Sequence, residues 1–182
     1  SSVRDIKHPI IREALDSLQL KSPQIEITTL ADIPSGTGLG SSGSFTTALL
    51  KALFTHYHRP LQQLELAELA CHIEIDRLQE PIGKQDQYGS AIGGINKLSF
   101  MQNSEVIVDK LKISQERLKQ FHQNLLILYT GKTRSASKIL KKQSKALTED
   151  KVKIKAMKEM VKLVDNFKME LLDGDLNNLG SI

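Results

Sequence analysis

The residues best suited to chemistry lie in a glycine-rich loop, PSGTGLGSSGSF at positions 34–45, which leads into an apolar run. Each glycine in a structured segment costs roughly 0.5–1 kcal/mol relative to alanine, so the alternating glycines indicate a backbone that bends sharply and lies close to a ligand. Ser41 and Ser42 are good helix N-caps, and the first amides of a helix have no intrahelical acceptors. Because free amides at the positive end of a helix bind anions, we predict a phosphate site here.

Several known loop types compete for this segment. A P-loop needs a Gly-Lys-Ser/Thr ending, and the first lysine after the loop is Lys51. A G-x-G-x-x-G run is present at 38–43, but it does not sit directly at a strand end and no acidic residue ends a following strand. The G-x-S-x-G elbow of serine hydrolases fails because Ser44 stands at its last position. A glycine-rich turn with a serine cap and no ligand stays open as the alternative.

A carboxylate on an apolar face is the second chemical signal. In a predicted helix over 62–78, Glu74 points nearly opposite to a charged stripe and falls beside apolar residues. The charged stripe consists of Glu65, Glu68, His72 and Asp76. Such a carboxylate is costly unless it is paired or bound to a metal. Two interpretations of Glu74 therefore stay open, a buried salt bridge and a metal ligand.

A further carboxylate, Asp86, lies in the segment EPIGKQDQYGSAIGG at 80–94. It is either an ordinary cap of a short helix or the group that orients an acceptor hydroxyl and takes its proton, since a carboxylate need only accept that proton as the new bond forms. Arginine suits bidentate phosphate contacts, whereas solvated side chains are the alternative for the cations nearby. The candidates for substrate binding are Lys84, Gln85, Lys132 and Arg134.

The loop resembles the central motif of the GHMP kinases (galacto-, homoserine, mevalonate and phosphomevalonate kinases), P-x-x-x-G-L-G-S-S-A. Gly43 replaces the alanine of that motif, and because glycine is smaller we expect it to fit. The string GKQDQYGSAIGG at 83–94 resembles the family's G-x-x-D-Q/N segment. The strings CHIEIDRLQEPIGKQDQ and YTGKTRSAS are similar to the sugar-kinase branch that acts on heptose 7-phosphate.

The resemblance implies an ATP-dependent kinase that phosphorylates the anomeric hydroxyl of a heptose 7-phosphate, giving a 1,7-bisphosphate. It places magnesium on Ser42 and Glu74, and it places Asp86 opposite the acceptor hydroxyl. A GHMP kinase acting on fucose, galactose or a related alcohol is the alternative, as is a non-catalytic nucleotide- or sugar-phosphate-binding module. The loop residues expected to contact ATP are Pro34, Gly36, Gly38, Leu39, Gly40, Ser41, Ser42 and Gly43.

Mixed helices and strands must position these residues. Apolar spacing predicts the order α, β, α, α, β, β, α, β, α, α, which is not a regular βαβ alternation and favours the α+β class. The resemblance implies a ribosomal-protein-S5-domain-2-like N-terminal domain over 1–118, lacking its first segment, followed by the start of a ferredoxin-like domain over 119–182. The predicted strands are 24–31, 95–100, 105–111 and 124–131.

Composition narrows the class of partner. The chain has 182 residues, a net charge of +4 and 4% aromatic residues. No apolar stretch approaches the ~20 residues of a membrane span, and lysine without aromatic residues favours a solvated helix over a nucleic-acid surface. A single cysteine, Cys71, excludes an internal disulfide and fits a reducing compartment. We expect a cytoplasmic protein with no membrane or nucleic-acid partner, whose oligomeric state is open, a homodimer included.

The two ends of the sequence are abrupt, and two further family motifs are missing from it. These are an N-terminal segment with P-x-R and GGGTD-type runs and a C-terminal glycine-rich motif. We therefore expect an internal piece of a larger protein, and we expect that piece alone to be inactive.

Overall fold

A computed structural model describes residues 2–19, 24–32, 36–129, 131 and 136–182. The chain forms two compact units, one of Ser1–Gly93 with Lys132–Lys141 and one of Gly94–Gly131 with Lys142–Ile182. The domain boundary expected after residue 118 stays a prediction. The described residues mix helices with one small antiparallel sheet, so the α+β class is confirmed.

Four α-helices build the first unit around one apolar core. They are α1 (Pro9–Ser17), α2 (Ser41–His56), α3 (Gln63–Cys71) and α4 (Gln85–Ile92), and α4 packs against both α2 and α3. Pro9 occupies the first turn of α1, where its missing N–H costs nothing. The core residues include Ala14, Leu15, Leu18, Leu49, Leu50, Leu53, Leu66, Ala70 and Ile73. For α1, α2 and α3, the apolar spacing that predicted the helices is therefore the spacing that buries them. Helix α4 lies in the segment 80–94, where apolar spacing did not predict it.

The helix expected through residue 78 changes its hydrogen-bonding pattern partway. A capping box opens α3, in which the main-chain N–H of Gln62 donates to Glu65 Oε2 at 2.8 Å. After Cys71 the chain continues as a π-helix, His72–Arg77. The wider turn is closed by Leu78, whose N–H donates to the carbonyl of Ile73 at 3.0 Å. π-Helical turns are rare and occur often at functional sites.

The second unit is a hairpin with three helices. Strands β1 (Asn96–Phe100) and β2 (Val106–Lys110) pair antiparallel, which confirms the strands predicted over 95–100 and 105–111. Helices α5 (Gln115–Gln123) and α7 (Lys151–Leu172) lie in this unit, and α6 (Ala136–Glu149) contributes its residues from Lys142 onward. Short 3₁₀ turns occupy Val3–Asp5 in the first unit and Leu176–Ser181 in the second.

Two predicted strands are not strands in this structure. Residues 24–31 and 125–129 lie outside every described helix and sheet. Leu30 is 96% exposed, and Leu126 and Ile127 are each 81% exposed, so the prediction of a buried strand over 124–131 is wrong for the described residues. A strand is stable only when a neighbour pairs with its backbone N–H and C=O groups, and the described sheet has two strands. No helix in the described part of the chain is long and apolar enough to span a bilayer.

Candidate active site

The glycine loop turns through left-handed backbone before it enters α2. Gly36, Gly38 and Gly40 have φ angles of +77°, +83° and +68°, which side-chain-bearing residues rarely adopt. The sequence prediction that Ser41 and Ser42 cap the helix is wrong, because α2 begins at Ser41 and Gly40 is its N-cap. Gly40 has no side chain to bond the first amides, so these N–H groups keep their capacity to bind an anion.

Asp86 lies directly against this loop. A Cβ atom built on Gly40 would stand 3.0 Å from Asp86 Cγ, and one on Gly43 would stand 2.9 Å from Asp86 Cβ. The first turn of α4 therefore contacts the start of α2, although the two segments are more than forty residues apart in sequence. The structure thus brings a carboxylate beside the amides expected to bind phosphate.

Gly43 is required for that contact. Its Cβ would also stand 3.0 Å from the carbonyl carbon of Asp86 and 3.1 Å from the main-chain nitrogen of Gln87. These are backbone atoms, which cannot move aside as a flexible side chain can. The expectation that glycine fits here holds, and the geometry adds that a methyl group would force α2 and α4 apart.

Glu74 is buried, as its position on the apolar face predicted. Its side chain lies in the π-helix and the residue is 2% exposed. Its carboxylate Oε1 accepts a hydrogen bond of 3.0 Å from Nε2 of Gln87, which is itself fully buried. The partner is a neutral amide, so this bond differs from the buried salt bridge that was the alternative. The negative charge of Glu74 is not neutralised by it.

Comparison with known proteins bears on these contacts. The profile of the GHMP kinases N terminal domain matches residues 8–94, which contain the loop, Glu74 and Asp86. This match confirms, for residues 8–94, the resemblance to the GHMP kinases.

Individual relatives are named as sugar kinases. The chain is 30% identical to D-glycero-alpha-D-manno-heptose 7-phosphate kinase of Campylobacter jejuni over 98% of its own length and 52% of that protein. It is 27% identical to the bifunctional fucokinase/GDP-fucose pyrophosphorylase of Arabidopsis thaliana over 88% of its length and 16% of that protein.

A solved structure is similar as well. The crystal structure of a D-glycero-D-manno-heptose 1-phosphate kinase from Bacteroides thetaiotaomicron superimposes with a TM-score of 0.58 at 35% identity, covering 62% of this chain and 37% of that one. The chain spans about half the length of the Campylobacter relative and less of the other two.

The GHMP domain has residues that fit magnesium. Magnesium usually takes one or two protein carboxylates and completes its shell with water and substrate phosphates. Among the described residues no group of three His, Cys, Asp or Glu side chains could hold a metal alone. The buried carboxylate of Glu74, whose hydrogen-bond donor is a neutral amide, suits the shared arrangement. The Oε1 atom of Gln87 is also buried and has no hydrogen-bond partner among the described residues.

Other predicted site residues have definite places. Leu39 and Ser42 are exposed, and Ser41 is half-buried. Lys84 occupies the N-cap position of α4, and Gln85 is the first residue of that helix. Pro34, Lys132 and Arg134 lie outside the described residues.

Two contacts were missed by sequence reasoning. The hydroxyls of Ser44 in α2 and Ser90 in α4 lie 3.0 Å apart and join the two helices beside Asp86. The amide of Gln87 joins α4 to the π-helix, and its signal in the sequence was its match to the last position of the G-x-x-D-Q/N segment, directly after Asp86. Burial raises the pKa of the Cys71 thiol to about 12, so this residue is a neutral core side chain and not a nucleophile.

Proposed function

We propose that the protein carrying this chain is an ATP-dependent kinase that phosphorylates the anomeric hydroxyl of a heptose 7-phosphate to give the 1,7-bisphosphate. The observation that supports this most is the contact of Asp86 with Gly40 and Gly43. It joins an anion-binding helix start to a carboxylate that can receive a proton, and phosphoryl transfer needs these two functions side by side.

In the proposed reaction, the loop at 36–43 binds the triphosphate through main-chain amides. The anomeric oxygen attacks the γ-phosphorus as its proton passes to a carboxylate oxygen of Asp86. The bond from the γ-phosphorus to the β,γ-bridging oxygen breaks, and its electron pair leaves on ADP. A transition state of this kind gains mainly from placement and from stabilised charge, which the helix start supplies.

Ser42 and Glu74 would hold magnesium, which neutralises phosphate charge when bound. Their direct pairing stays a prediction. The contacts that support it run from Gly43, next to Ser42, to Gln87, and from Gln87 to Glu74.

The sugar phosphate is assigned to Lys84, Gln85, Lys132 and Arg134 by proposal. The names of two relatives support a heptose phosphate, although one is named for the 7-phosphate and the other for the 1-phosphate. The fucokinase relative supports a second candidate function, that of a kinase for fucose, galactose or a related sugar. A basic Lys84 at the start of α4 supports a negatively charged acceptor over a neutral one.

The test is a panel of acceptors offered to the full-length protein with ATP. We expect heptose 7-phosphate to give the highest kcat/KM and ³¹P NMR to show a new anomeric phosphate. Asp86→Asn should lower kcat at least about 100-fold, a general-base contribution, while nucleotide binding persists. Asp76→Asn, an exposed change at the hydrogen bond with His72, is the matched control and should keep full activity.

Two outcomes would contradict the proposal. If Asp86→Asn retains turnover, Asp86 is not the proton acceptor. If the wild-type protein binds ATP and phosphorylates no member of the panel, the non-catalytic binding module is the better description.

A further inference from the structure

Gln87 lies where it can act on the site without touching the substrate. Its main-chain nitrogen packs against Gly43 at the start of α2, and its side chain reaches into the π-helix to bond Glu74 at 3.0 Å. The residue is fully buried, so neither its amide nor its backbone reaches solvent. One residue therefore contacts both the phosphate loop's helix and the buried carboxylate.

The chemistry of the pair fixes how the amide is oriented. An ionised carboxylate only accepts hydrogen bonds, so the NH₂ group of Gln87 faces Glu74 and its Oε1 faces away. That Oε1 is buried and has no donor among the described residues. A buried oxygen without a partner costs about 1–3 kcal/mol. The hydrogen bond to Glu74 is therefore what accounts for an amide rather than an apolar side chain at this position.

A neutral donor suits a metal ligand better than a cation would. A lysine or arginine at this position would neutralise Glu74 and compete with a divalent ion. An amide holds one carboxylate oxygen in place and leaves the negative charge intact. The π-helical turn that presents Glu74 is a second sign of a functional constraint, because such turns concentrate at functional sites.

We propose that Gln87 is a positioning residue, which fixes the carboxylate of Glu74 for the magnesium ion that accompanies the nucleotide. This inference rests on the proposed function for the presence of that ion. Gln87 acts through Glu74, so its removal matters only while Glu74 is a carboxylate.

The test measures cation binding in the full-length protein, with Mn²⁺ as the probe and a non-hydrolysable ATP analogue present. Electron paramagnetic resonance of free Mn²⁺ gives the affinity. Gln87→Met keeps the volume and removes the donor, and we expect a loss of Mn²⁺ affinity of about 10-fold or more, as for other residues that orient a ligand. The same variant should raise the KM for Mg²⁺ more than it lowers kcat at saturating Mg²⁺.

A matched control uses a glutamine that bonds to α4. Gln63 in α3 donates from its side-chain amide to the carbonyl of Ile92 at the end of α4, at 3.0 Å. Gln63→Met removes this hydrogen bond between α3 and α4 without touching Glu74, and it should change Mn²⁺ affinity less than twofold. If both variants weaken Mn²⁺ binding equally, the effect is one of general packing and the proposal is wrong.

A double-mutant cycle separates positioning from structure. In a Glu74→Gln background, Gln87→Met should cause no further loss of Mn²⁺ affinity. An undiminished loss in that background would overturn the proposal. If Gln87→Met does not fold, Gln87→Asn retains a buried amide that is one methylene too short to reach Glu74, and the same cycle applies to it.

This readout is independent of the sugar. Failure of every acceptor in the panel would overturn the proposed function, whereas the Mn²⁺ affinities of the variants alone decide the role of Gln87.

Discussion

Different interactions stabilise each of the two units of this chain. In the first, apolar side chains from four helices close around Leu50 and Ile73, both fully buried. In the second, Leu171 is the buried apolar residue among those described, and polar ties are prominent: Lys168 bonds Asp109 at 2.6 Å, and Lys97 pairs with Asp165. The candidate site lies entirely in the first unit, where packing rather than long flexible side chains sets the positions of its residues.

The largest expected effect on stability comes from a change in the apolar core of the first unit. Leu50→Ala should lower the free energy of unfolding by about 2–5 kcal/mol, because it leaves a cavity in a closed core. Leu126→Ala, at an 81% exposed position of the other unit, should change it by less than about 0.5 kcal/mol. Urea unfolding of this chain measures both. Equal losses would show that Leu126 is buried in solution and that the contrast between the units is false.

The next largest effect on stability comes from the contact of α2 with α4 at the candidate site. Gly43→Ala should destabilise the chain by about 1–3 kcal/mol, because the added methyl overlaps the backbone of Asp86 and Gln87. Gly89→Ala adds the same methyl to α4 where nothing lies within 4 Å, so it should stabilise by up to about 1 kcal/mol through helix propensity. Thermal unfolding compares the two. A Gly43→Ala variant as stable as Gly89→Ala would contradict the close contact of α2 with α4.

The smallest effect on stability comes from polar contacts in the second unit. The guanidinium of Arg117 donates to three carbonyls at the end of α7, those of Glu170, Leu171 and Gly174, at 2.6–2.7 Å. Arg117→Ala leaves these carbonyls without that donor and should cost about 1.5 kcal/mol. Lys119→Ala on the same helix is the control, and its expected change in unfolding free energy is near zero. If circular dichroism and urea unfolding show no difference between the two variants, α7 does not depend on this contact.

Local structure was predictable where neighbouring residues supply the cause. The alternating glycines predicted a sharply bent backbone, and Gly36, Gly38 and Gly40 adopt left-handed angles that cost glycine little. The period of the apolar residues predicted α2 and α3, and it predicted that Glu74 is buried. The strands β1 and β2 were also predicted, and they pair with partners close in sequence.

Other features depended on distant neighbours. Residues 24–31 and 125–129 have the composition of strands, but a strand forms only when another strand pairs with it, and no local pattern reports whether one does. The serine cap was a wrong prediction because the turn at Gly40 placed both serines inside α2.

The sequence by itself determined which segments bend and which faces are apolar, and it predicted phosphate chemistry at the loop, since those properties follow from single residues and their near neighbours. The tertiary structure alone decided that Asp86 meets Gly40 and Gly43, and that Glu74 accepts a hydrogen bond from the neutral amide of Gln87. The reason is physical: contacts between α2, α4 and the π-helix depend on how whole helices pack, and a missing methyl group at Gly43 sets how closely they approach.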